Sequence, residues 1–179
     1  MNVNKPNWYG GMLIYDPEDG QVIAASDAKF ANEMKMLGGM WDEGDKDPTA
    51  TAIREANEEG KTQVNDCTLV YVENIPGRHS RPDHFRYFHL ADVTAGALAK
   101  DKTWEVEEKD KTTGQVLEKQ IARWVPLREF ASKLYSRQRA AFGAMLAELA
   151  RRNPYFGQEY ADLIRTFPAP ANLGLGGKP

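Results

Sequence analysis

The fold is decided by residues 38–60, which read GGMWDEGDKDPTATAIREANEEG. Asp47 and Pro48 together predict the start of a helix, because aspartate caps the first free amides and proline fits the first helical turn. Gly60 predicts the end of that helix. The expected helix, 48–60, follows directly on a loop that holds three glycines.

Three glutamates of this helix share one face. At about 100° per residue, Glu55, Glu58 and Glu59 fall within about 100° of one another. Ala52 and Ala56 lie on or near the other side, so the helix can pack against a core while its acids face a cleft. Like charges at these spacings repel by roughly 0.2–0.5 kcal/mol per pair. A solvated acidic face is the alternative interpretation of the triplet taken alone.

The acidic charge of the chain is concentrated around this helix. The whole chain has a net charge of -3, with 41% hydrophobic and 27% charged residues, which is typical of a globular protein. The window 40–59 holds seven acids against Lys46 and Arg54, a charge of -5, and this leaves +2 for the remainder. So many carboxylates favour a nearby cation. The chain has no stripe of basic residues of the kind that indicates a nucleic-acid partner, so none is expected.

The glycine loop and the acidic helix together predict a metal site. Glycines let backbone groups approach a ligand closely, and carboxylate and carbonyl oxygens are the donors that magnesium prefers. A calcium loop starting at Asp45 does not fit, because Ala50 and Ala56 stand where glycine and a bidentate glutamate are required.

This segment resembles the Nudix box, G-x5-E-x7-R-E-U-x-E-E-x-G-U, where U is a bulky aliphatic residue. The matching residues are Gly39, Arg54, Glu55, Glu58 and Glu59. Four positions depart from the pattern. Asp45 replaces the first glutamate, and eight residues instead of seven separate it from Arg54. Ala56 replaces the aliphatic residue, and Lys61 stands at the position of the closing glycine, while Gly60 comes one position early. We interpret these departures as a one-residue insertion before the helix and a one-residue loss after it.

The resemblance implies roles for the box residues. Glu58 and Glu59 would hold Mg²⁺, with a backbone carbonyl of the Gly38-Gly39 turn as a further ligand, and Mn²⁺ can substitute. Glu55 would be a ligand or the base for water. Arg54 would hold the glutamates in place, and Asp45 would support the loop through Arg54.

Candidates outside the box are less specific. Many Nudix enzymes add a carboxylate from the loop before the closing strand, and Glu118 is the candidate here, with Glu105, Glu107 and Glu108 as rivals. Substrate phosphates would pair with arginine forks, and a base would stack on an aromatic ring; the candidates are Arg78, Arg81, Arg86 and Trp41, with Trp8, Tyr9 and Phe85 as further aromatic residues. His84 and His89 are separated by an odd number and would point to opposite faces of a strand, which argues against a histidine metal site.

The expected fold is an α/β/α sandwich around a mixed β-sheet, with a C-terminal helical extension. Residues 1–153 would form the Nudix domain, and 154–179 a partly helical extension with a loose tail. The remaining pattern predicts hairpins from 12–15 with 22–25 and from 104–108 with 115–126, strands over 64–72 and 85–90, and helices from Ser136 onwards.

The predicted function is metal-assisted hydrolysis of the pyrophosphate bond in a nucleoside diphosphate derivative. Pro76-Gly77 lies about 15 residues past the box, where ADP-ribose-cleaving members tend to carry a proline; nucleoside triphosphates, oxidised nucleotides and dinucleotides are the alternatives. Two other hypotheses stay open, a non-catalytic nucleotide-binding module and an isoprenoid isomerase that would use Cys67. The expected partner is a small nucleotide, and a homodimer is possible. The lone cysteine and the lack of an apolar segment long enough to span a bilayer favour a cytoplasmic protein without membrane contact.

Overall fold

A single mixed sheet of seven strands forms the centre of the computed structural model, which describes residues 6–30, 32–78, 82–110 and 112–171. The strands are β1 (Trp8–Asp16), β2 (Gln21–Asp27), β3 (Leu37–Met40), β4 (Thr68–Ile75), β5 (His84–Asp92), β6 (Thr103–Lys109) and β7 (Val116–Pro126). They are ordered β4-β5-β1-β2-β7-β6, with β3 beside β1. Among the paired strands that the structure describes, β1 and β5 run parallel and the other pairs are antiparallel.

Helices cover both faces of this sheet, which confirms the predicted α/β/α sandwich. They are α1 (Pro48–Gly60), α2 (Leu127–Ser132), α3 (Arg139–Arg152), α4 (Pro154–Glu159) and α5 (Ala161–Thr166), with short 3-10 turns at Ala28–Phe30 and Ser136–Gln138. The alternation of β1 sends Met12 and Ile14 into a core under α1, and Leu13 and Tyr15 into a second core under α3.

The carboxylate helix has the predicted bounds. Asp47 caps it by accepting a hydrogen bond from the amide of Ala50 at 2.7 Å, and Pro48 is in its first turn. Gly10 lets this helix lie directly on β1, because a Cβ at Gly10 would stand 2.6 Å from the amide nitrogen of Ala52. Helix and sheet are therefore in backbone contact next to the glycine loop.

Strand β3 was expected to be loop. Residues 37–40 pair with residues 9–12 of β1, while β1 pairs with β2 only near their common turn. A Cβ at Gly38 would lie 2.5 Å from the carbonyl oxygen of Gly10, so glycine is required for this close pairing. Because β3 occupies the edge of β1 at one end, β1 and β2 separate there, and the sheet opens.

The predicted strand 64–72 begins only at Thr68. The side chain of Asn57 accepts a hydrogen bond from the amide of Val64 at 2.7 Å and donates one to its carbonyl oxygen at 3.1 Å. These backbone groups are therefore satisfied by the helix and not by a neighbouring strand. Val64 is buried, so its apolar character reflects core packing and not strand pairing.

The C-terminal extension packs on the second core. Phe156, Tyr160 and Phe167 are buried in the cluster that also contains Phe142 of α3. The predicted boundary at residue 153 stays a prediction, and the tail 172–179 lies outside the described residues. Within the described ranges, none of the helices combines the length and the apolar character needed to cross a bilayer.

His89 connects β5 to the start of α1. Its ring is buried, with Nε2 3.0 Å from the Thr49 hydroxyl and Nδ1 3.2 Å from the carbonyl oxygen of Gly11. A carbonyl only accepts, so Nδ1 carries the hydrogen and the Thr49 hydroxyl donates to Nε2. His84, on the same strand, faces the other way as predicted, and His79 lies outside the described residues.

Burial lowers the pKa of His89, and this predicts a loss of stability in acid. Above about pH 6.5 the imidazole is neutral in both the folded and the unfolded chain. Below that value His89 binds a proton in the unfolded chain but stays neutral in the folded chain. The free energy of unfolding therefore falls by up to about 1.4 kcal/mol for each pH unit. We expect His89→Gln to reduce this slope in urea titrations between pH 7 and pH 5, and the control His84→Gln to retain it. Equal slopes in both variants would contradict the assignment.

Candidate active site

An acidic cleft opens where β1 and β2 separate. It has a volume of about 680 Å³ and is bounded by the glycine strand β3, the acidic face of α1 and the paired ends of β6 and β7. Its charged lining consists of Asp42, Glu55, Glu58, Glu59, Glu107, Glu108 and Glu118 against Lys35, Arg54 and Lys109. The carboxylates outnumber the cationic groups, so the cleft favours a cationic ligand.

The three glutamates of α1 all line this cleft, as the helix face predicted. Glu58 is the outermost, with 59% of its side chain exposed, whereas the Glu55 side chain is only 14% exposed. Glu59 is the innermost and accepts a hydrogen bond from the amide of Gly38 at 2.9 Å. The triplet therefore points into a cleft and is not a solvated face.

Arg54 ties the glycine loop to the glutamates. Its Nη1 donates to Glu55 at 2.7 Å and to Glu58 at 3.2 Å, while Nε and Nη2 donate to Asp45 at 3.0 and 2.9 Å. Its Nη2 also reaches the carbonyl oxygen of Met40 at 3.1 Å. The expected Asp45–Arg54 pair is thus present, and Asp45 is not among the residues that line the cleft.

The shorter acid at position 45 is compensated by extra hydrogen bonds. Besides Arg54, Asp45 accepts from the Thr51 hydroxyl at 2.9 Å and from the amide of Asp42 at 3.1 Å. The bonds from Arg54 are the main reason why the pKa of Asp45 is lowered. In return, Asp45 is the main reason why the pKa of Arg54 is raised. Both groups are held ionised, and the loop is fixed to the helix.

Burial disfavours the ionised forms of the two inner glutamates, Glu55 and Glu59. Burial raises the pKa of Glu59 to about 7, with Glu55 and Glu118 adding to the effect and the Gly38 amide opposing it. Burial also raises the pKa of Glu55 against the opposing influence of Arg54. A cation among these groups would favour their ionised forms.

The donor set fits a hard divalent cation. Glu55, Glu58 and Glu59 supply carboxylate oxygens next to the backbone of Gly39, and oxygen ligands of this kind suit magnesium. A Cβ at Gly39 would lie 2.5 Å from Glu55 Oε1, so the glycine leaves the space that this carboxylate occupies. Among the described residues no group of three such side chains is already arranged around one metal position. Arg54 donates a hydrogen bond to Glu55, and the Gly38 amide donates one to Glu59. A metal would therefore compete with Arg54 for Glu55 and Glu58.

The helix ends at the expected residue, but its C-terminal cap differs from the expected one. Lys61 has φ 50° and ψ 51°, the left-handed conformation that glycine usually adopts after a helix. Gly60 remains helical, and a Cβ there would lie 2.5 Å from Leu37 Cδ1. The interpretation of Gly60 as a displaced closing glycine is therefore wrong: Lys61 itself takes that position, and Gly60 provides packing space. The orientation of Glu58 and Glu59 is kept.

Glu118 lies in the cleft, but on strand β7 and not on a loop. It faces Glu108 directly across the β6–β7 pair, and its carboxylate is 3.7 Å from Lys35 Nζ. Of its rivals, Glu107 and Glu108 also line the cleft, whereas Glu105 is paired with Lys119 at 2.9 Å. Three acids of β6 and β7 therefore line the cleft, and the choice of Glu118 stays a prediction.

The proposed substrate-binding residues are separated by the structure. Trp41 lines the cleft, where its Nε1 donates to the carbonyl oxygen of Asp45 at 3.1 Å. Arg86 is bonded to Glu73 and, at 2.9 Å, to the carbonyl oxygen of Arg137, so its guanidinium supports the sheet. Arg78 is exposed beyond the end of β4, and Arg81 lies outside the described residues.

Three residues that line the cleft carry no sequence pattern that predicts this position, namely Lys35, Lys109 and Gln120. Lys35 reaches it because residues 25 and 35 exchange both backbone hydrogen bonds, at 2.9 and 2.8 Å. Cys67 is not among the cleft-lining residues, and burial raises the pKa of its thiol to about 11. A thiol of that pKa is a poor nucleophile, which removes the support for an isomerase.

Comparison with known proteins gives one family and a structural neighbour. The NUDIX domain model matches residues 10–145, from β1 into α3. The chain is also similar to the crystal structure of a MutT NUDIX hydrolase from Burkholderia pseudomallei, with a TM-score of 0.50 and 17% sequence identity over 77% of this chain and 96% of that one. At this identity the similarity concerns the fold alone. No curated protein sequence matches the chain.

Proposed function

The chain belongs to the NUDIX family, and on this premise we propose that it is a magnesium-dependent hydrolase that cleaves the pyrophosphate bond of a nucleoside diphosphate derivative. Membership in this family of hydrolases confirms the prediction of an enzyme that acts on phosphorus anhydrides. Its members act on nucleotide-type small molecules with divalent metals. The choice of magnesium and of the substrate belongs to the proposal.

The observation that carries the proposal is the position of Glu55, Glu58 and Glu59 in one cleft beside the Gly38-Gly39 backbone. When bound, a divalent cation would neutralise phosphate charge and lower the pKa of a water molecule. Glu58 and Glu59 would hold it, together with a carbonyl of the glycine strand.

Other groups of the cleft would orient the reactants. Glu55, which lies between Arg54 and Gly39, is the candidate for accepting the proton of the attacking water. Arg54 keeps this carboxylate in place. On the opposite wall Lys35 is available to a phosphate oxygen, and Glu118 beside it is a further candidate for a metal or water contact.

The first candidate substrate is an ADP-ribose-like compound. The support is Pro76-Gly77, which directly follows β4 at the same end of the sheet as the cleft. The amide of Gly77 donates a hydrogen bond to Asp83 Oδ1 at 2.7 Å. A panel of ADP-ribose, nucleoside triphosphates, oxidised nucleotides and dinucleotides with Mg²⁺ or Mn²⁺ tests the choice. ADP-ribose is expected to have the highest kcat/KM, and a higher value for another class would replace it.

Metal and nucleotide should bind cooperatively. If one magnesium ion contacts both the glutamates and the diphosphate, each ligand tightens the binding of the other by the same factor. Titration calorimetry of a non-hydrolysable analogue with and without Mg²⁺ measures this factor, which we expect to be at least about tenfold, or 1.4 kcal/mol. In Glu58→Gln the coupling should weaken. Independent binding of the two ligands would contradict a bridging ion.

A further inference from the structure

A second cavity adjoins the acidic cleft. It has a volume of about 330 Å³, within the ~300–1,000 Å³ range of small-molecule pockets. It is lined by Asp27, Phe30, Glu33, Lys35 and Tyr135, and Lys35 lines the acidic cleft as well. We call it the Phe30 cavity. Because Lys35 lines both cavities, a ligand whose phosphates lie beside Lys35 in the cleft can place its other end in the Phe30 cavity.

The ring of Phe30 is exposed at the rim of this cavity. The residue is 65% exposed, although its carbonyl oxygen is held by the amide of Glu33 at 2.9 Å. On the other wall, the amide of Tyr135 donates a hydrogen bond to the carbonyl oxygen of Met34 at 2.7 Å. A large apolar ring held open to solvent at the rim of a cavity is suited to stacking against a flat ligand.

The polar groups beside this ring are mostly acceptors. Asp27 continues the face of β2 that carries Ile23 and Ala25, and so it points to the same side of the sheet as the acidic cleft. The amide of Lys29 holds its Oδ1 at 2.7 Å. Its register partner on β7, Gln120, has a buried Oε1 without a hydrogen-bond partner among the described residues. Ionised carboxylates accept hydrogen bonds and cannot donate them.

We propose that the Phe30 cavity binds the base of the substrate and selects a purine that carries an exocyclic amino group. Phe30 stacks on the base, and Asp27 accepts a hydrogen bond from the amino group. A purine with a carbonyl oxygen in that place presents an acceptor to a carboxylate and is disfavoured. The inference rests on the proposed function and extends it from the phosphates to the base.

The test compares ADP-ribose with its hypoxanthine counterpart, which replaces the amino group by an oxygen atom. The wild-type kcat/KM should be about tenfold lower for the hypoxanthine compound, as expected for the loss of one hydrogen bond to a charged group. In Asp27→Asn the difference should fall below about threefold, because an amide both donates and accepts. Asparagine keeps the oxygen that binds the Lys29 amide.

Phe30→Ala should raise KM for both compounds by about tenfold, with kcat unchanged, through the loss of stacking. The matched controls are Tyr155→Ala, at a ring that is 78% exposed on α4, and Asp101→Asn, at a side chain that is 79% exposed. Both should behave like the wild type.

Equal hydrolysis of the two compounds, or a preference that Asp27→Asn and Phe30→Ala leave unchanged, would overturn the assignment of the Phe30 cavity. If neither compound is hydrolysed, the choice of ADP-ribose as the substrate fails separately. The dissociation constants of AMP and IMP in the presence of Mg²⁺ then test the Phe30 cavity. Tighter binding of AMP that is lost in Asp27→Asn supports the assignment, and equal binding of the two nucleotides overturns it.

Discussion

Glu59→Gln is expected to lower kcat by at least two orders of magnitude, or about 2.7 kcal/mol. In the proposed function Glu59 is a metal ligand and needs its charge, whereas the amide that replaces it has nearly the same shape. Its oxygen can still accept the hydrogen bond from Gly38. Burial raises the pKa of Glu59 to about 7, so a neutral side chain is tolerated there and the fold should survive.

The measurement is steady-state hydrolysis together with thermal unfolding of both proteins. Glu18→Gln, at an exposed glutamate in the turn between β1 and β2, is the matched control and should retain wild-type turnover. Unchanged kcat in Glu59→Gln would show that the acidic face of α1 does not hold the catalytic metal.

Gly39→Ala is expected to reduce kcat by about two orders of magnitude, because a displacement of about 1 Å at a reacting group can have an effect of this size. The new Cβ would lie 2.5 Å from Glu55 Oε1, and the carboxylate would have to leave its place beside Arg54. The group that moves is the end of a side chain, so the backbone of β3 can remain paired with β1.

A matched glycine substitution separates this effect from a general one. At Gly157 on α4 a Cβ would stand 3.4 Å from the Cβ of Ala150, an ordinary contact, so Gly157→Ala should leave kcat unchanged. Circular dichroism should show folded protein for both variants. Full activity in Gly39→Ala would contradict the position assigned to Glu55.

The carboxylate helix was predictable because its signals are local. Asp47, Pro48 and the spacing of Glu55, Glu58 and Glu59 depend only on helix geometry and on capping by nearby residues. The hairpins β1–β2 and β6–β7 were predictable for the same reason, because a short turn that contains Asp and Gly separates two apolar or alternating segments.

The parts that the sequence did not predict depend on distant contacts. Strand β3 exists because Gly38 and Gly39 lie against Gly10 and Gly11, and a glycine pair in a single sequence is equally typical of a loop. Arg86 resembled a phosphate ligand until the fold placed Glu73 opposite it on β4. Lys35 and Phe30 reach the region of the cleft through the pairing of residues 25 and 35, which no local pattern encodes.

The central claim, hydrolysis of a pyrophosphate bond in this cleft, is tested most directly by identifying the products of ADP-ribose after incubation with Mg²⁺. The wild-type protein should yield AMP and ribose 5-phosphate in equal amounts, and Glu59→Gln should leave the substrate almost intact over the same time. Chromatography of the two mixtures is sufficient. Intact nucleotide with the wild-type protein, across ADP-ribose and the other nucleotide classes, combined with tight metal-dependent binding, would contradict the claim and favour a non-catalytic nucleotide-binding module.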